Sequence, residues 1–233
     1  MINLPYERQQ LLKKQGLLFN TNGSYISPDK KTIYCGIPKN ASSFIDQLLH
    51  SNGWNLFINN EDTLITTNTD MPISEVVNCF VVLRDPFDRW VSGITQYIAT
   101  VGFDTLLDKD NAITGMAIRS QVMEIITNII DIDDHTLPQH YYFANLHPGV
   151  DKTYFWVNKN LKNNMLSFYN LTDNNKTVLP TNNEGKPDDS IIIRNILKTK
   201  ILRYLDHNPL FKQQIINYYK KDYDIIGSVD IIY

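Results

Sequence analysis

Lys39, Ser42 and Ser43 fall together in the stretch Ile33-Tyr34-Cys35-Gly36-Ile37-Pro38-Lys39-Asn40-Ala41-Ser42-Ser43-Phe44. A cation and two hydroxyls at the start of a helix make an anion site. The first N–H groups of a helix have no partners within it, and the helix dipole adds positive potential at that end. Lys39 brings a mobile positive charge, and Ser42 and Ser43 bring hydroxyl donors. A second candidate is Arg84, which closes the apolar run Cys79-Phe80-Val81-Val82-Leu83. Its planar fork can chelate a phosphate that never reacts. A third is His135 in Asp131-Ile132-Asp133-Asp134-His135-Thr136-Leu137-Pro138-Gln139. Neighbouring carboxylates favour the charged form of an imidazole and can orient it for proton transfer. His140 and His147 are rivals for that role.

These groups need elements to carry them. Ile33 to Ile37 has the length and composition of a buried strand, and Pro38 cannot extend it because it has no N–H for a ladder. Asn40 is expected to absorb unusual backbone angles in the turn. From Ala41 to Leu49 the spacing predicts a helix whose inner face is Phe44, Ile45, Leu48 and Leu49, stopping at Ser51-Asn52-Gly53-Trp54. The second corner has the same plan. Cys79 to Leu83 is a strand and Arg84 ends it. Asp85 is the expected helix N-cap, Pro86 takes the favoured first helical position, and Asp88 can complete a capping box. Ser92 then lies about two turns along that helix. An ordinary strand-turn-helix, with Arg84 paired to Asp88, would use the same residues.

The order Pro38-Lys39-Asn40-Ala41-Ser42-Ser43-Phe44 does not fit the Walker nucleotide loop, which needs a second glycine and a lysine directly before the serine or threonine. It resembles instead the 5′-phosphosulfate loop of sulfotransferases that use 3′-phosphoadenosine 5′-phosphosulfate (PAPS). Arg84 followed by Pro86, with Ser92 eight positions after the arginine, resembles the 3′-phosphate motif of the same family. The resemblance implies that Pro38 to Phe44 and the pair Arg84 and Ser92 bind the nucleotide, with Lys39 catalytic. It implies further that a late loop closes over the nucleotide, with Lys186 as its cation. The segment around His135, with Pro138 and Gln139 after it, looks like the carbohydrate branch that modifies chondroitin, dermatan and related glycans. In that light His135 would take the proton from an acceptor hydroxyl. Some members of that branch place a catalytic carboxylate or histidine after the lysine loop, which makes Glu61 or Asp62 an alternative base. Tyr219-Lys220-Lys221-Asp222-Tyr223 resembles a terminal pattern of the family, with packing as its expected job.

The chain of 233 residues is 42% hydrophobic, enough for a sizeable core. A formal charge of -3 argues against a nucleic-acid binder that relies on a broad basic surface. No stretch approaches membrane-spanning length, and Met1 to Lys14 lacks the apolar core of a signal peptide, so a cytoplasmic location is expected. Cys35 and Cys79, on expected central strands, read as buried reduced thiols, and no metal-ligand spacing of His and Cys is present. Further expected elements are a hairpin or extended arm near Tyr25-Ile26, a loop from 55 to 76, helices over Ile113–Ile130, Asn158–Phe168, Ser190–Leu205 and Pro209–Lys220, and a strand over Lys152–Val157. The expected fold is α/β and P-loop-like: one domain over residues 1–233, with a central, mainly parallel sheet flanked by helices and the two motif strands side by side. The expected activity is transfer of a sulfuryl group from PAPS to a hydroxyl, on a carbohydrate by resemblance, without a metal. A P-loop-type kinase or nucleotide hydrolase and a silent glycan- or nucleotide-binding module are the alternatives.

Overall fold

The computed structural model describes residues 23–60, 63–66, 70–101, 115–128, 130–143, 146, 149–173 and 189–233. The described chain divides into two compact units.

The first unit holds all the strands among the described residues. Strand β1 is Tyr25–Ile26, β2 Thr32–Cys35, β3 Asn55–Asn60, β4 Thr63–Thr66, β5 Asp70–Pro72, β6 Asn78–Leu83, β7 Asp151–Trp156 and β8 Ile231–Ile232. They form an 8-stranded sheet in the order β5-β4-β3-β1-β2-β6-β7-β8. The half from β2 through β6 and β7 to β8 is parallel, and the half from β1 outward is antiparallel. The expectation of a mainly parallel sheet therefore holds where the two motifs lie and not beyond it. The extra strands come from residues 55–76, expected as a loop. Their Asn- and Thr-rich stretches have no apolar alternation to announce them, and they add to the sheet through backbone pairing. The expected arm is β1, which pairs with β2 through Tyr25 opposite Tyr34 and Ile26 opposite Ile33.

Helix α1, Ser42–Ser51, follows β2 and buries Phe44, Ile45, Leu48 and Leu49 as its periodicity predicts. It stops at Asn52 and Gly53, whose φ of 76° suits a residue without a Cβ. The core beneath it is aromatic. Phe80, fully buried on β6, stacks on Tyr34 at 4.8 Å and meets Trp54 and Phe155 edge-on at 5.7 and 5.9 Å. Truncating such a ring to alanine costs about 3–5 kcal/mol. Cys35 and Cys79 are free thiols with sulfurs 3.4 Å apart, and burial, then its neighbour, pushes the Cys79 thiol up. Helix α4, Leu161–Phe168, closes this core through Leu161 and Met165.

The second unit is helical: α2 Pro86–Val101, α3 Gly115–Asn128, α5 Asp189–Asp206, α6 Pro209–Tyr218 and most of α7, Lys220–Ile226. Its core is drawn from Trp90, Val91, Ile94 and Ile98 of α2, Val122 and Ile125 of α3, and Leu197, Ile201 and Leu205 of α5, each at most 3% exposed. Among the described residues no helix is long and apolar enough to cross a membrane.

Candidate active site

The phosphate-loop candidate begins where β2 ends. Gly36 is packed so tightly that a Cβ there would lie 1.9 Å from the carbonyl oxygen of Gly23. That leaves no room for any side chain, and the turn that follows is anchored on the arm. Two non-glycine residues then take left-handed backbone angles, Lys39 at φ 72° and Ala41 at φ 60°. Each costs on the order of 1 kcal/mol for a residue with a Cβ. The expectation that Asn40 absorbs the odd angles is thus corrected. The strain sits on either side of it, and Asn40 itself is fully buried and bonded inward.

Ala41 is the N-cap of α1, with no side-chain cap and no acidic residue in the first turn. The first N–H groups of the helix to find a carbonyl are those of Phe44 and Ile45, both donating to Ala41 O at 3.0 Å. Ser42 is half-buried and Ser43 exposed, ahead of those two bonds. Phe44, expected at the ligand, is only 2% exposed and packs in the core. Its side chain and its N–H both serve the fold. Pro38 is buried and Lys39 half-buried.

Arg84 joins this turn from the neighbouring strand. Strands β2 and β6 pair in parallel with Cys35 opposite Val81, which brings their carboxyl ends together, the edge where open α/β sheets bind ligands. The Arg84 guanidinium donates from Nη1 to Lys39 O at 3.1 Å. The two residues that the sequence singles out on separate corners therefore share one. Gln139 reaches the same place. Arg84 N donates to its Oε1 at 3.1 Å, and its Nε2 donates back to Arg84 O at 2.9 Å. Asn40 Nδ2 donates to Gln139 Oε1 at 2.5 Å and to Val82 O at 2.7 Å.

Ser92 and His135 belong to the second unit. Helix α2 starts as expected: Pro86 opens it and Asp85 Oδ1 accepts from Asp88 N at 2.8 Å. Tyr223, from the terminal pattern, accepts from Phe87 N and donates to Asp85 Oδ2, both at 3.3 Å. Ser92 is half-buried one residue before Gly93, where a Cβ would lie 2.6 Å from His135 O. The missing side chain lets the His135 loop lie directly on α2. Three further residues fasten that loop. Buried Arg89 donates to Leu137 O and, at 3.0 Å, to Asp134 O. Thr136 Oγ1 accepts from Ile132 N and Asp133 N at 2.7 and 3.0 Å. Tyr219 OH donates to Thr136 O.

His135 Nδ1 lies 3.0 Å from Asp133 Oδ2 and 3.2 Å from Asp134 Oδ1. Hydrogen bonds to Asp133 first and Asp134 second push its pKa up to about 9, against the opposing pull of burial. At neutral pH the ring is therefore an imidazolium. One ligand atom from each of Asp133, Asp134 and His135 lies within 4.8 Å of the others. Glu61, Asp62 and Lys186 lie outside the described residues.

Compared with known families, residues 22–226 match the model of the Sulfotransferase family. The chain belongs to the sulfotransferase family. That match takes in both units, and sulfuryl transfer is the activity it supports. No curated protein and no solved structure matches the chain.

Sequence reasoning does not mark Arg89 or Gly93 as parts of these sites, and it names Gln139 only as the end of the His135 segment, not as a partner of Arg84. Arg89 has a usable signal, an arginine on the apolar face of a helix. Asn40 stands in the motif, but its sequence suggests the wrong job.

Proposed function

We propose that this sulfotransferase takes its sulfuryl group from PAPS and passes it to a hydroxyl of a carbohydrate. The observation that supports the donor is the 3.1 Å bond from Arg84 Nη1 to the main-chain Lys39 O, which joins the two motifs at one corner. The residues fit a nucleotide with two anionic ends. The strained turn and the uncapped start of α1 suit the 5′ end, through Lys39, Ser42 and Ser43, with Pro38, Asn40 and Ala41 shaping the turn. Arg84, with Ser92, would take the 3′-phosphate, and Lys186 would cover the nucleotide.

When bound, PAPS supplies the sulfuryl group. Lys39 would meet the negative charge that develops on the leaving oxygen. Donors preset toward such charge usually contribute more to catalysis than any other single effect. His135 would accept the acceptor's proton, and only its neutral form can do so. With a pKa of about 9, the active fraction rises with pH. Glu61 is the alternative base. The carbohydrate acceptor rests on the resemblance of the His135 segment alone.

The test is transfer of labelled sulfate from PAPS to a panel of saccharides, with binding of the desulfated product, 3′-phosphoadenosine 5′-phosphate (PAP), measured by calorimetry. Transfer to at least one saccharide, with PAP bound, is expected. Absence of PAP binding would overturn the donor. Transfer only to phenols or peptides would overturn the acceptor.

A further inference from the structure

Gln139 is 1% exposed and spends its amide on the candidate site. Its two bonds to the Arg84 peptide fix which end is oxygen: Oε1 must face Arg84 N and Nε2 must face Arg84 O. That orientation dictates the next residue, because Asn40 must present Nδ2 to the same Oε1 and to Val82 O. The amide chain thus runs from the strand end that carries Arg84 to the residue between Lys39 and Ala41, the two left-handed positions of the turn. Deep burial makes each bond costly to leave unmade.

We propose that Gln139 is a positioning residue that holds the Arg84 corner and the Lys39 turn in one register, and so sets how strongly the protein prefers a nucleotide bearing a 3′-phosphate. It touches neither phosphate. It fixes the peptide from which the Arg84 fork projects and the side chain that braces the strained turn. This inference rests on the donor reading above.

The experiment compares PAP with adenosine 5′-phosphate, which lacks the 3′-phosphate, by calorimetry on the full chain. Gln139→Met keeps the volume and deletes the bonds. It should lower PAP affinity roughly tenfold more than it lowers affinity for adenosine 5′-phosphate, so that the preference for the 3′-phosphate falls by that factor. In an Arg84→Ala background the same change should leave the preference unmoved, since the two residues act through one contact. If Gln139→Met gives no cooperative melt, Gln139→Asn carries the same comparison, because it stays neutral and keeps an amide but is one methylene too short to make both bonds to Arg84. Equal losses for both nucleotides, or a further loss of preference in the Arg84→Ala background, would reduce Gln139 to structural support. If the unaltered protein binds PAP no better than adenosine 5′-phosphate, the donor reading falls and takes this inference with it. If it prefers PAP and the variants keep that preference, this inference falls alone.

Discussion

Helix α2 begins with a cap of its own making: Asp85 accepts from Asp88 N, Pro86 fills the first position and Tyr223 holds the Asp85 carboxylate. Helix α1 begins with none, behind a turn strained at Lys39 and Ala41. Both follow a strand of the parallel half and a positively charged residue, yet one start is closed by the protein and the other is not. A helix start completed from within adds stability. One left without a side chain, beside a lysine, keeps its positive end for a partner from outside. On the proposed function, structural work falls to the Asp85 cap and ligand work to the Lys39 turn.

The largest effect should come from Lys39→Ala. Sulfate transfer should fall on the order of 10³-fold while the melting temperature holds. A loss of folding without a specific loss of rate would break the contrast. Next, Arg84→Ala should weaken PAP binding about 10- to 100-fold by calorimetry. Unchanged affinity would confine ligand work to the Lys39 side.

His135 sharpens the comparison through pH. Its folded pKa of about 9 is above the ordinary 6.5, so its stabilising contribution is complete below pH 6.5 and fades as pH rises through about 9. With the ring partly solvated, that contribution is on the order of 1–2 kcal/mol. Thermal melts from pH 6 to 10 should show the loss, and Asp133→Asn should flatten it. If His135 is the base, the transfer rate should climb over the same window in which stability declines. A rate flat with pH would move the role to another residue, Glu61 first.

The smallest effects lie at the two helix starts. Asp85→Ala should cost about 1 kcal/mol in denaturant melts with little change in the affinity for adenosine 5′-phosphate. Ala41→Gly, which relieves a left-handed position, should add roughly 0.5–1 kcal/mol. If Asp85→Ala proves silent, the cap is not the stabilising partner in the pair.

Legibility follows locality. Strands β2 and β6, helix α1 and the start of α2 are readable because continuous apolar runs, a helical stripe and the Asp85-Pro86 cap are written within a few residues. Strands β3 to β5 are not, since their pairing is a property of neighbouring backbones and their side chains carry no alternation. The strain at Lys39 and Ala41 is hidden because neither is a glycine, and left-handed angles on such residues are imposed by surroundings. Gln139 is visible only as the end of the His135 segment, with nothing to tie it to the two corners. Its partners, Asn40 and Arg84, are 99 and 55 positions away. Lys39, Arg84 and His135 stand out because their chemistry is carried by residue type alone.

Arg84 and Gln139 also mark where the chain departs from the first unit and where it comes back, with residues 85–138 in between. The two exit points are tied by a reciprocal pair of amide bonds. An excursion whose ends are already fastened together behaves as a cassette. Its interior can lengthen or shorten with little change in the entropy of closing it, because the clasp belongs to the host. Changes of length inside that interval therefore leave the backbone beneath the Arg84 fork where the clasp holds it.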